Sequence, residues 1–151
     1  MLSIGDKAPD FVSKDQNNND FKLSSNIGKK IALYFYPKDD TPGCTKEACS
    51  FRDNFEAVSN AGILVIGVSP DDIKSHNKFI EKYKLPFSLL ADTNKEILNL
   101  YDAYGEKNMY GKISMGVLRK TFLINEEGTI IHIFKKPKTD IHAEEVLAKF
   151  K

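Results

Sequence analysis

The sequence predicts an α/β fold: a central mixed sheet flanked by helices, with an N-terminal β-hairpin extension. Three observations carry this. Two apolar runs rich in β-branched and aromatic residues, "KKIALYFYP" ending at Pro37 and "ILVIGVSP" ending at Pro70, have the length and continuity of strands buried on both faces. Patterns with helical periodicity stand between and after them. A late segment, "RKTFLINEEGTIIHIFKK", reads as two apolar strands around the turn Asn125-Glu126-Glu127-Gly128.

Taken in order, "DFVSKD" and "DFKLSS" form a short hairpin around "NNND", a cluster of turn-forming residues. The first buried strand follows, and then a helix from Cys44 to about Ser59. After the second buried strand, "DDIKSHNKFIEKYKL" places Ile73, Phe79, Ile80 and Tyr83 on one side of a helix, with charges elsewhere. "FSLLAD" is a weaker strand, "NKEILNLYDAY" a short helix, and "HAEEVLAKFK" a closing helix after the late hairpin. Strands alternating with helices imply parallel central strands, and the late hairpin adds antiparallel strands at the edge. A β-α-β unit followed by a β-β-α unit is the thioredoxin-like arrangement. The 151 residues suit one domain, 1–151, with a sizeable core.

Composition narrows the function. With 22 basic and 21 acidic residues the net charge is +1, which offers no electrostatic case for nucleic acid or an anionic membrane. No apolar run has the length of a transmembrane helix, and "MLSIGDKAPDF" has no basic stretch followed by an apolar one, so no secretory signal is expected. Two cysteines in a chain of this size do not make a secreted disulfide scaffold. A reducing, cytoplasmic setting is the expectation.

Both cysteines lie in "YPKDDTPGCTKEACSFRD". Thr41 is a good N-cap and Pro42 suits the first helical position, so Cys44 falls in the first turn. Free amides and the positive end of the helix dipole there favour a thiolate. At about 100° per residue, Cys44, Ala48, Phe51, Phe55 and Val58 share the core-facing side. Cys49 lies roughly 140° round the helix, with a Cα separation of ~8.6 Å from Cys44. A disulfide spans at most ~7 Å without backbone movement, so the two thiols can pair only if the first turns unwind. Their spacing is wrong for a zinc knuckle, and the histidines at 76, 132 and 142 show no ligand spacing to them. A buried cysteine also serves in many cores as a small hydrophobe. The residues alone therefore leave open a peroxide-reducing thiol, a dithiol–disulfide oxidoreductase, and a binding or holdase protein with structural cysteines.

The same segment resembles the active-site segment of peroxiredoxins, Pro, three residues, Thr or Ser, two residues, Cys, here Pro37, Thr41 and Cys44. The second cysteine five residues on resembles the Q-type, or bacterioferritin comigratory protein, subfamily. "GDKAPDF", "GVSPDDIKSHNKFIEKYKLPFSLLAD" and "YGEKNMYGKISMGVLRKTFLI" are similar to its other segments, although Tyr104 stands where the subfamily often has Trp. The resemblance implies a thioredoxin-fold peroxidase with Cys44 peroxidatic and Cys49 resolving, bridged as an intramolecular disulfide and recycled by thioredoxin. It further implies that Thr41 hydrogen-bonds the peroxide or the thiolate and that Pro37 shields the sulfur. Arg119 would hold thiolate and peroxide, and Pro42 and the Gly43 amide would line the peroxide site. No metal, haem or flavin is required. A local second thiol needs no partner subunit, so a monomer is expected.

Overall fold

The computed structural model describes residues 1–150, apart from the side chain of Met109. An N-terminal hairpin pairs β1 (Val12–Lys14) with β2 (Asp20–Lys22) in antiparallel register. Then follow β3 (Lys30–Phe35), α1 (Pro42–Asp53), α2 (Phe55–Asn60), β4 (Ile63–Ser69), α3 (Ile73–Tyr83), β5 (Ser88–Ala91) and α4 (Glu96–Leu100). A second hairpin joins β6 (Tyr104–Met109) to β7 (Lys112–Val117), and β8 (Lys120–Ile124), β9 (Ile130–Phe134) and α5 (His142–Lys149) complete the chain.

The main sheet has the order β5-β4-β3-β8-β9, with β3, β4 and β5 parallel and β8 and β9 antiparallel to their neighbours. The mixed thioredoxin-type sheet is therefore as expected, with one correction. β8 is not an edge strand; it lies beside β3 in the interior, because its Thr121, Phe122, Leu123 and Ile124 are all buried and need cover on both faces.

β3 shows how the core divides. Ile31, Leu33 and Phe35 point to one face, where they meet Phe11, Ile66, Tyr101 and Phe122. Ala32, Tyr34 and Tyr36 point to the other, where they meet Cys44, Ala48, Phe51 and Phe79 from α1 and α3. Gly67 on β4 makes room for this second layer: a Cβ there would lie 2.7 Å from Leu89 Cδ2 and 2.9 Å from Tyr34 Cζ.

Two further differences from the expected elements have local causes. The helix expected to run to Ser59 breaks at Asn54, which leaves helical geometry (φ −109°, ψ 15°) while its side-chain amide donates to the Ser50 carbonyl at 2.9 Å. The β6–β7 hairpin was not expected. It turns at Tyr110 and Gly111, both at positive φ (55° and 81°), as a two-residue hairpin turn demands. Its outer residues Tyr110, Ile113 and Met115 are exposed, so the strand lacks the alternation that marks a half-buried one.

α1 is seated at its far end by α5. Ser50 Oγ accepts the Ala143 N–H at 3.0 Å, capping a helix whose own N-cap residue, Ile141, cannot do so. Phe51 packs edge-on against His142, with ring centroids 5.5 Å apart.

Candidate active site

The connection from β3 to α1 builds the site. Thr41 occupies the N-cap in extended conformation, and Pro42, exposed, opens the helix. The first backbone bond of the helix runs from Thr45 N–H to the Thr41 carbonyl at 2.8 Å. The Gly43 and Cys44 amides precede it and stand at the positive end of the helix dipole.

Cys44 is 1% exposed, packed beside Ala48 and Tyr34. Arg119 Nη2 donates to its sulfur at 3.2 Å, and Arg119 Nη1 donates to Glu47 Oε1 at 2.6 Å. The sheet brings Arg119 there. Phe35 pairs with Lys120, so the residue before β8 reaches the C-terminal end of β3, where α1 begins. Gly43 clears the approach: a Cβ at this position would sit 3.3 Å from Arg119 Nη2. Pro37 is half-buried beside the same loop.

The Thr41 hydroxyl departs from expectation. It makes no capping bond; it donates to the Lys38 carbonyl at 2.8 Å. The cause is the loop, which turns back through Asp40 at a φ of +57°. The hydroxyl hydrogen is thereby committed to the loop.

Glu47 was not singled out from the sequence. It is fully buried, and burial pushes its carboxyl up to about 7 against the opposing pull of Arg119. For Arg119, burial is the largest influence and favours the neutral form, yet the negative charges of Glu47 and Cys44 outweigh it and raise its affinity for the proton. Glu47 Oε2 and the Tyr34 hydroxyl are buried without a hydrogen-bond partner among the described residues. Burial, then the charges of Glu47 and Cys44, push the Tyr34 phenol well up. The signal for Glu47 was present: three residues beyond Cys44 it shares the helix side of Ala48 and Phe51, where a carboxylate needs a partner.

Cys49 sits apart from this group. It is half-buried where Cys44 is buried; both thiols are free, and both lie within the unbroken helix α1. Burial pushes the Cys49 thiol up, partly offset by Arg52, whose guanidinium is turned to Asp53 (2.9 Å) and to the Tyr83 carbonyl (2.8 Å). The structure thus gathers Cys44, Gly43 and Arg119, carries Pro37 and Thr41 on the connection that enters α1, and leaves Cys49 on another side of the helix.

The sequence pattern of the AhpC/TSA family matches residues 4–133. The chain is 46% identical over 150 residues to peroxiredoxin Bcp of Bacillus subtilis, covering 99% of this chain and 96% of that one. The chain is a peroxiredoxin of the AhpC/TSA family. Peroxiredoxin Bcp of Escherichia coli is 40% identical over 97% of this chain and 94% of its own. Among solved structures, Xanthomonas campestris peroxiredoxin Q superposes with a TM-score of 0.87 at 36% identity, covering 93% of this chain and 89% of that one. A cysteine-to-serine variant of Xylella fastidiosa PrxQ gives 0.91 at 33%, covering 99% and 95%. This peroxiredoxin therefore has the thioredoxin fold and the oxidoreductase chemistry of the Bcp and Q-type enzymes.

Proposed function

We propose that this peroxiredoxin reduces hydrogen peroxide and organic hydroperoxides with Cys44 as the attacking thiolate and Cys49 as the resolving thiol. The observation that carries the assignment is the Arg119 guanidinium at 3.2 Å from Cys44 Sγ, at the amino end of α1. The Cys44 thiolate attacks one peroxide oxygen; an S–O bond forms, the O–O bond breaks, and the leaving oxygen departs as alkoxide or hydroxide and takes a proton. Cys44 is then a sulfenic acid. Attack by the Cys49 thiolate on that sulfur forms the disulfide and expels hydroxide, which leaves as water. An external dithiol of the thioredoxin type reduces the bridge by two successive exchanges.

Thiolate formation alone supplies little of the rate. A thiol with a pKa of ~8.5 is ~3% ionised at pH 7, so a pKa of ~6 raises the thiolate by at most about 30-fold. With a Brønsted slope of ~0.4–0.5, the same drop weakens the nucleophile by ~10- to 18-fold, leaving a gain of only about two- to threefold. The main contribution is stabilisation of charge on the leaving oxygen by donors already in place. Arg119 and the Gly43 and Cys44 amides are those donors, while Thr41 Oγ1 accepts from the peroxide O–H. Pro37 and Pro42 limit water at the sulfur.

Resolution within one helix needs no second subunit, which supports a monomer; two free thiols and a dithiol reductant suit a reducing, cytoplasmic setting. Peroxide turnover with thioredoxin and its reductase tests the scheme. Cys44→Ser is expected to abolish turnover. Cys49→Ser is expected to keep one stoichiometric reaction with peroxide and lose thioredoxin-supported cycling. Retention of most of the activity in Cys44→Ser would refute the scheme.

A further inference from the structure

Asp39 and His76 are buried, 7% and 0% exposed, and lie in the second layer behind the active-site loop. Asp39 Oδ1 accepts from the Tyr36 hydroxyl at 2.5 Å, and Oδ2 accepts from the Ser75 hydroxyl at 2.8 Å. His76 Nδ1 lies 2.8 Å from the same Oδ2, while His76 Nε2 lies 2.9 Å from the Leu90 carbonyl oxygen. A carbonyl can only accept, so Nε2 carries a hydrogen. The Asp39 N–H in turn donates to Asp71 Oδ2 at 2.9 Å, an oxygen that also accepts from the Ser69 hydroxyl. Asp39, Asp71 and His76 bring potential ligand atoms within 4.8 Å of one another, but hydrogen bonds to protein already occupy those atoms.

A buried pair of this kind is weak as a source of stability, since apolar packing often serves the fold as well. Its effect is on geometry. Asp39 belongs to the loop that carries Pro37 and Thr41, while His76 and Ser75 belong to α3 and Leu90 to β5. The next residue, Asp40, faces the other way: its carboxylate accepts from Lys82 Nζ and the Tyr83 hydroxyl, both at 2.7 Å and both at the far end of α3. Two consecutive aspartates thus tie one loop to one helix from opposite sides. Asp40 is held there at positive φ, and the turn it makes sets the Thr41 hydroxyl onto the Lys38 carbonyl.

We propose that Asp39 and His76 are positioning residues for peroxide: by anchoring the loop from Pro37 to Thr41 they fix the course of the chain that carries Thr41 Oγ1 and Pro37 into the amino end of α1, where Cys44 lies. The proposal rests on the reading that Cys44 reduces peroxide. Neither residue touches the reacting atoms; misplacing an orienting group by ~1 Å is enough to cost a large factor in rate.

The experiment compares two reactions of Cys44 in the reduced protein, with hydrogen peroxide and with iodoacetamide, followed by stopped flow and mass spectrometry. Alkylation needs the thiolate but not the peroxide contacts. In Asp39→Asn and in His76→Gln the peroxide rate constant is expected to fall ~10-fold, with alkylation within about twofold of wild type. The double variant is expected to fall no further than either single one, because both break one unit. If a single variant does not fold, Ser75→Ala removes only one hydroxyl from Asp39, and it is expected to lower the peroxide rate two- to threefold with alkylation unchanged. Equal loss in both reactions, or no loss in either, would overturn the proposal. Failure of the peroxidase reading looks different: wild type itself would consume no peroxide beyond Cys44→Ser.

Discussion

Cys44 and Cys49 are the same residue type on the same helix, and the protein treats them in opposite ways. Cys44 is fully buried but faces a guanidinium at 3.2 Å, itself steadied by a buried carboxylate. Cys49 is half-buried, and burial holds it protonated against the weaker influence of an arginine engaged elsewhere. Burial without a partner suppresses a thiolate, as at Cys49, whereas the Cys44 sulfur is met by a hydrogen-bond donor already in place. The difference suits a first thiol that reacts in place and a second that stays unreactive until the helix opens. Because the Cys49 thiol is raised above its ordinary value in the helix, its contribution to stability is present below that ordinary value and is lost as pH rises from there through the raised one.

The largest effect that tests this contrast is removal of the cation. Arg119→Ala is expected to lower the rate constant for peroxide by ~10²-fold or more, the scale of losing one preorganised donor to a developing oxyanion. Stopped-flow measurement with hydrogen peroxide and with an alkylating agent checks it. A loss equal in both reactions would assign Arg119 to thiolate formation alone.

A smaller effect is expected at Glu47. Its carboxyl is raised from 4.5 to about 7, so the neutral form is favoured in the folded protein. The stability this contributes is present below about 4.5 and is lost as pH rises toward 7. The charge that steadies Arg119 develops as pH rises through about 7. The peroxide rate should therefore gain an upward inflection near pH 7 from this group. Glu47→Gln keeps an acceptor for Arg119 but has no charge to gain, and is expected to lose that inflection and run ~10-fold slower at pH 8. A pH–rate profile identical to wild type would remove Glu47 from the account.

The two sides of the site were unequally legible in the sequence. Helix α1 and its start were local matters: Thr41, Pro42 and the apolar spacing of Cys44, Ala48 and Phe51 declare them. Arg119, by contrast, reaches Cys44 only because β8 lies beside β3, a register no local pattern displays, so it was visible solely through resemblance. Glu47 could have been read from its place on the apolar side of the helix. His76 gave a similar hint, three residues from both Ile73 and Phe79, but its partner Asp39 is 37 positions away in a loop. The β6–β7 hairpin escaped because exposed strands have no burial pattern, and its turn places a tyrosine, not Asn or Asp, at the first positive-φ position.

The helix separating the two thiols in the reduced protein must open for them to meet. The ideal-helix Cα separation of ~8.6 Å exceeds the ~7 Å that a disulfide can bridge. Opening gives up several backbone hydrogen bonds, each worth ~1 kcal/mol net. Hydrogen exchange with mass spectrometry on the reduced and the peroxide-oxidised protein measures this directly. An intramolecular Cys44–Cys49 disulfide is expected in the oxidised form, with faster exchange from Cys44 through about Arg52 and the strands of the main sheet unchanged. Unchanged protection across α1 in the oxidised protein, or disulfides found only between chains, would contradict it.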